Sequence, residues 1–169
     1  MKGNWKQTVI GDFVEQANNS ISLVPTETYT LLGMSLEGRG LFIREQKKGS
    51  EIGSKSLNKL QSGHFIYSRL FAWKGAFDFV ADEFEGFYVS DEYPTFKVDN
   101  KKADVQFLHY YFNQAKTWKA VEQFCIGVTK ASRNRFKEKF FLDFPINLPD
   151  LQTQKKIVFP ISPLIGSRL

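Results

Sequence analysis

Cysteine is nearly absent from this 169-residue chain, which has Cys125 alone. One thiol excludes an internal disulfide framework and any cysteine-rich metal cluster, and it fits a reducing compartment. Histidine is almost as scarce: His64 and His109 are far apart, and neither falls in a metal-ligand spacing such as H-E-x-x-H. Also missing are a Gly-rich phosphate loop, a nucleophile elbow and an Asn-Pro-Pro-Tyr methyltransferase site. No apolar run approaches the roughly 18 residues of a membrane span, and Met1 to Asn19 contains no apolar segment of a secretory signal. These absences fit a cytoplasmic protein with no membrane association, and they leave no familiar motif for a cofactor or for catalysis.

What the chain does have is aromatic carbon and segregated charge. Its length suits one domain with a real core, and its 42% apolar and 24% charged content suits a globular one. Phe occurs 17 times, enough to line the underside of a sheet with rings to spare. The net charge of +5 is modest but unevenly distributed. Arg39 to Lys74 carries eight Lys/Arg against two Glu, Gly75 to Asp104 three Lys against eight Asp/Glu, and Lys116 to Lys139 seven Lys/Arg against two Glu. If the fold brings the two basic blocks to one side, they form the footprint a polyanion such as DNA needs. Separately solvated surfaces are the other outcome.

The densest structural signal runs from Leu60 to Phe96. Phe65 to Leu70, Phe77 to Val80, and Phe87 to Val89 with Tyr93 to Phe96 are rich in aromatic and β-branched residues and bounded by Gly, Asp and Ser, so they read as strands. Trp73-Lys74-Gly75 is a turn between the first two. Asp82, Glu83 and Glu85 read as a solvated hairpin tip. Upstream, Thr8 is expected to cap a short helix reaching Asn18 or Asn19, since Ile10, Phe13 and Val14 fall at helical spacing. Tyr29 to Met34 and Leu41 to Arg44 read as strands, joined by Glu37-Gly38-Arg39-Gly40. Downstream, Asp104 caps a helix to about Lys116, a second helix runs from Thr117 to Phe124, and Phe140 to Ile146 reads as the last strand. Pro149 and Asp150 then open a final helix.

Several of these pieces, in this order, resemble a known family. Gly63-His-Phe-Ile-Tyr-Ser-Arg69, Gly75-Ala-Phe77 and Gly86-Phe-Tyr-Val-Ser-Asp-Glu-Tyr-Pro-Thr-Phe96 are similar to the target recognition domain of type I restriction–modification specificity subunits. Tyr29 to Gly33, Gly38 to Phe42, Gly49 to Glu51, Ser132 to Phe136 and Phe140 to Ile157 extend the resemblance over nearly everything from Trp5 to about Val158. It implies a mixed α/β fold, a twisted and mostly antiparallel sheet flanked by short helices. Residues 1–147 would be the recognition domain and 148–169 the start of a spacer helix. Phe159-Pro160 and Pro163 cannot continue a helix, so that spacer is expected to be cut short.

The same resemblance implies a non-catalytic domain that reads one half of a bipartite site in double-stranded DNA. Adenine methylation and cleavage would belong to methylation subunits and, through them, restriction motor subunits using S-adenosylmethionine, Mg²⁺ and ATP. Candidate DNA-binding residues are Arg39, Arg44, Lys47, Lys48, Arg69, Trp73, Lys74, Lys130, Arg133, Asn134 and Arg135. Arginine can bridge guanine O6 and N7, and asparagine can pair with adenine N6 and N7. Arg39 also suits a plain turn residue, Arg133 a phosphate contact and Arg135 the fold itself. Leu148, Leu151, Gln154 and Ile157 are the candidate subunit-docking residues. The alternatives are a recognition domain of a fused methyltransferase–endonuclease and, from another class, a metal-dependent nuclease using the 78–92 carboxylates. No lysine follows any of those carboxylates as it does in a common nuclease core.

Overall fold

The computed structural model describes residues 4–125 and 134–160, arranged as three sheets with four short α-helices. A two-stranded sheet pairs β1 (Lys6–Val9) with β11 (Pro145–Leu148). A four-stranded sheet has the order β2 (Val14–Gln16), β10 (Thr95–Val98), β7 (Phe65–Tyr67), β8 (Phe77–Phe79). A five-stranded sheet has the order β3 (Ser20–Ser22), β6 (Ser56–Lys59), β9 (Tyr88–Val89), β4 (Thr28–Ser35), β5 (Gly40–Lys48). Pairing is antiparallel except between β4 and β9, so the mixed α/β class with mostly antiparallel strands holds, although the expected single sheet is divided.

The main core lies beneath the four-stranded sheet. Phe65, Tyr67, Phe77 and Phe96 meet Phe107, Leu108 and Phe112 of α1 (Val105–Phe112), Phe136, and Phe141 of α3 (Glu138–Leu142), all at most 1% exposed. The rings pack as offset stacks and tilted pairs, with Phe77 to Phe112 at 4.8 Å and Phe96 to Phe141 at 4.6 Å between centroids. Each such side chain contributes about 1.5–3 kcal/mol by leaving water. The Tyr67 hydroxyl is satisfied inside this core by donating to the Phe136 carbonyl at 2.9 Å. A second cluster (Leu32, Met34, Leu41, Ile66, Ala76, Val80, Val89) joins residues of the two larger sheets. The helices carry the expected caps: Asp104 accepts from the Gln106 N–H, and Asp150 from the Thr153 N–H at the start of α4 (Leu151–Val158).

Four expectations from the sequence differ in the structure. Residues 6–16 form β1, a 3-10 turn and β2, not a helix capped by Thr8. Val9 pairs with Pro145 and Val14 with Val98, so long-range ladders override a stripe of only three apolar positions. Phe140 to Ile146 is not a strand: α3 covers its first part, and β11 starts at Pro145. Asp82 to Phe84 is not a hairpin tip but a 3-10 turn connecting β8 of one sheet to β9 of another. Strand β7 also stops at Tyr67, three residues before the expected end, because residues 68–76 have other partners.

Candidate nucleic-acid interface

Residues 68–76, the loop of the β7–β8 hairpin, form a seam on which distant parts of the chain meet. Ser68 N–H donates to the Ala76 carbonyl at 3.0 Å and closes the loop. Arg69 N–H donates to the Glu92 carbonyl at 2.9 Å, and the Arg69 carbonyl accepts from Phe136 N–H at 2.8 Å. At the other end, Glu37 N–H donates to the Lys74 carbonyl and Gly38 N–H to the Gly75 carbonyl, both at 2.9 Å. The β4–β5 turn, the hairpin loop, the segment before β10 and the segment entering α3 are thus joined by backbone hydrogen bonds. Two glycines permit the closest approach. Gly38 has φ +73°, and a Cβ there would fall 1.6 Å from Asn113 Oδ1. Gly75 has φ +83°, and its Cβ would fall 2.6 Å from the Trp118 ring on α2 (Ala115–Gln123).

At one end of the seam Arg39 and Lys74, both exposed, each adjoin the hydrogen-bonded Gly38–Gly75 pair. Arg39 Nε donates to its own turn, to the Leu36 carbonyl at 3.2 Å. Lys74 Nζ stands 4.8 Å from the centroid of the Trp73 ring, a cation–π contact, while Trp73 Nε1 donates to the Leu70 carbonyl at 3.1 Å. Neither cation has an acidic partner among the described residues. Trp73 is half-buried and packs on the main core, so its ring is largely engaged by the protein.

At the other end, alternating charges run Glu138, Arg69, Glu92, Arg135. Arg69 Nη1 lies 3.5 Å from Glu138 and Nε 3.8 Å from Glu92, and Nη2 donates to the Asp91 carbonyl. Its side chain is 26% exposed and ringed by acceptors. Arg135 instead meets Glu92 side-on, Nε to Oε2 at 3.4 Å and Nη2 to Oε1 at 3.0 Å, and is 41% exposed. This hydrogen-bonded carboxylate raises the Arg135 pKa. Tyr93 borders the group. Burial pushes its phenol up, helped by Glu92 and opposed by Arg44 and by a hydrogen bond with the Met34 backbone.

Strand β5 is an edge, and its middle is irregular. Ile43 pairs with Leu32 and Glu45 with Leu31, which leaves Arg44 as a bulge. Phe42, 43% exposed, lies over Gly33 across the strand, and Ile43 is 56% exposed. Arg44 and Lys47 share Glu45 at 2.9 and 3.5 Å, and Lys48 is exposed at the end of the strand. Such exposed pairs are weak and exchange readily for another anion.

The remaining candidates separate. Lys130 and Arg133 lie outside the described residues; Asn134 is half-buried next to Arg135. Among the docking candidates, Leu148 and Ile157 pack partly on the main core and Leu151 is half-buried. Gln154 is committed to the fold: wholly buried, it accepts from Asp104 N–H at 2.8 Å and donates to the Lys102 and Pro149 carbonyls. Glu92 and Glu138, which contact the arginines, were not among the candidate DNA-binding residues, and Glu92 entered only with the carboxylates of the nuclease alternative, because an acidic residue carries no local sign of an arginine partner.

The 78–92 carboxylates do not converge. Asp78 is buried, with Oδ2 accepting from Leu41 N–H at 2.8 Å and Oδ1 lying 3.5 Å from His109 Nε2. Among the described residues no group of three or more His, Cys, Asp or Glu is placed to hold a metal ion, and no helix is long and apolar enough to cross a membrane. Burial and Glu122 push the Cys125 thiol up to about 12, which removes its nucleophilicity at neutral pH.

The mixed α/β scaffold thus carries a hydrogen-bonded seam with Arg39 and Lys74 near one end and Arg69 and Arg135 at the other. The chain belongs to the family of the type I restriction modification DNA specificity domain, whose model matches residues 3–167. Its fold is similar to that of the HsdS subunit from Thermoanaerobacter tengcongensis, with a TM-score of 0.73 at 14% identity over 97% of this chain and 43% of that one. A chain from a structure describing complex assembly and conformational transition of the type I R-M system gives a TM-score of 0.78 at 15% identity, over 98% and 43%. The type I restriction–modification S subunit from M. genitalium gives 0.65 at 11%, over 98% and 40%. These likenesses are of fold, and the chain spans about two fifths of the length of each. No significant match was found among curated proteins.

Proposed function

We propose that this chain is a non-catalytic reader of one half of a bipartite duplex DNA site, acting in the cytoplasm within a larger assembly. Methylation subunits, and through them restriction motor subunits, would perform the chemistry. The observation that carries the reading is the convergence of Arg39, Lys74 and Arg135, from both basic blocks of the sequence, on the 68–76 seam. Arg39 and Lys74 are exposed and lack acidic partners among the described residues, which is how a phosphate-binding cation stands before its ligand arrives. Arg44, Lys47 and Lys48 extend the basic face along β5, and Leu148, Leu151 and Ile157 remain proposed docking positions.

Titration of a mixed-sequence duplex with the full chain at several salt concentrations tests this. Log K should fall linearly with log salt, and the Arg39→Ala/Lys74→Ala double variant should have a slope shallower by about two units. An unchanged slope would remove both residues from the interface, and no binding by the wild type at low salt would remove the function.

A further inference from the structure

The acidic residue at the centre of the arginine group has the wrong sign for a DNA-facing surface, and its geometry explains its presence. Glu92 accepts from Arg135 through the side edge of the guanidinium, Nε and Nη2. A guanidinium has two edges that can meet a planar acceptor pair. With the side edge engaged, Nη1 and the second N–H of Nη2 remain for an end-on contact, on a side chain that is 41% exposed. Glu92 is itself buttressed. Arg69 lies 3.8 Å behind it, Glu138 lies 3.5 Å from Arg69, and Arg69 N–H donates to the Glu92 carbonyl at 2.9 Å. The backbone carrying the carboxylate is therefore held by a hydrogen bond, and the carboxylate itself lies between the two arginines.

We propose that Glu92 is a positioning residue that presents the end-on fork of Arg135 to a base edge, with Arg69 and Glu138 as its support. This rests on the DNA-reading function proposed above. End-on bidentate donation suits the paired acceptors O6 and N7 of guanine in the major groove, and it requires a fixed guanidinium plane. A phosphate contact has no such requirement, since a mobile arginine still finds a phosphate.

Removing a carboxylate from a surface facing DNA relieves repulsion and tightens binding to any sequence. If Glu92 orients Arg135, Glu92→Gln should also lower discrimination. The probes are a mixed-sequence duplex and the duplex that the wild-type chain enriches most from a randomised pool. For Glu92→Gln, affinity for the mixed duplex should rise by about twofold to fivefold. The ratio of the two affinities should fall by at least about fivefold. Asp91→Asn removes the same charge from the exposed neighbour, and should tighten both duplexes equally and leave the ratio unchanged. Arg135→Lys keeps the charge and loses the fork, so it should lower the ratio as Glu92→Gln does. The double variant should be no worse than either single one, because both break the same contact.

An unchanged ratio in Arg135→Lys overturns the proposal even if Glu92→Gln fails to fold. Additive losses in the double variant overturn it as well, since Glu92 would then act through another residue. A wild-type chain with no preference between the two duplexes would count against the proposed function itself.

Discussion

Cationic residues of one type have different duties here, and their partners decide which. Arg69, Arg135 and Arg39 look alike in the sequence, each beside a glycine, serine or asparagine in a basic block. In the structure Arg69 is enclosed by Glu92, Glu138 and the Asp91 carbonyl, Arg135 is half engaged, and Arg39 touches only its own turn. The Arg135–Glu92 pair spans 43 positions of sequence, so no local pattern could reveal it. Residue type was legible in the sequence, but pairing was not. Arg69→Ala should therefore act on the fold before it acts on DNA. It leaves two carboxylates without their shared cation, and at 26% exposure the cost is about 1–3 kcal/mol, reduced by solvent from that of a fully buried pair. Chemical denaturation should show this loss, while the affinity ratio between enriched and mixed duplexes falls no further than in Glu92→Gln. A variant of wild-type stability that has lost affinity only for the enriched duplex would instead make Arg69 a direct base reader.

Elements held by local chemistry were readable, and elements held by distant strands were not. The Asp104 and Asp150 caps, the β4–β5 hairpin and the Trp73–Gly75 turn follow from side-chain caps and glycine positions visible over a few residues. The helix expected over residues 8–19 rested on Ile10, Phe13 and Val14, which serve equally as core positions of two short strands and a turn. Phe140-Phe141-Leu142 has strand-like composition, yet only Phe141 is fully buried, and a single helical turn delivers it to the Phe65, Tyr67 and Phe96 rings. Gly75 tests the seam as an element. Gly75→Ala imposes a β-carbon at φ +83° and 2.6 Å from the Trp118 ring, and it should cost about 1–3 kcal/mol of stability. Because Gly75 accepts from Gly38, the variant should also separate Lys74 from Arg39 and weaken mixed-duplex binding. A stable Gly75→Ala chain with undiminished binding would show that the seam does not organise the cations.

The whole molecule resolves the charge asymmetry by folding rather than by averaging. The two basic blocks flank an acidic one in the sequence, and the structure places Glu92 of the acidic block between Arg69 and Arg135, with Glu138 on the far side of Arg69. The proposed basic face is narrow, drawn from one hairpin loop, one turn, one edge strand and the segment entering α3. A single module of this kind buries only about 600–1,000 Å² of its own surface on DNA, so its unaided affinity for duplex should be modest, in the micromolar range at physiological salt. Joining two modules makes the second contact intramolecular. A fusion of two copies of this chain through a flexible linker should bind a duplex bearing two copies of its enriched site about 10²–10⁴-fold more tightly than one copy does. The gain should peak when the linker spans the distance between sites and disappear when the linker is too short, and varying the spacing of the sites on the duplex measures this directly. Sedimentation of the single chain with the same duplexes provides the contrasting arm. A chain that is already a stable dimer, with nanomolar affinity for a spaced pair of sites and no gain from fusion, would show that the module carries its own means of pairing and that the narrow seam is only part of its DNA-binding surface.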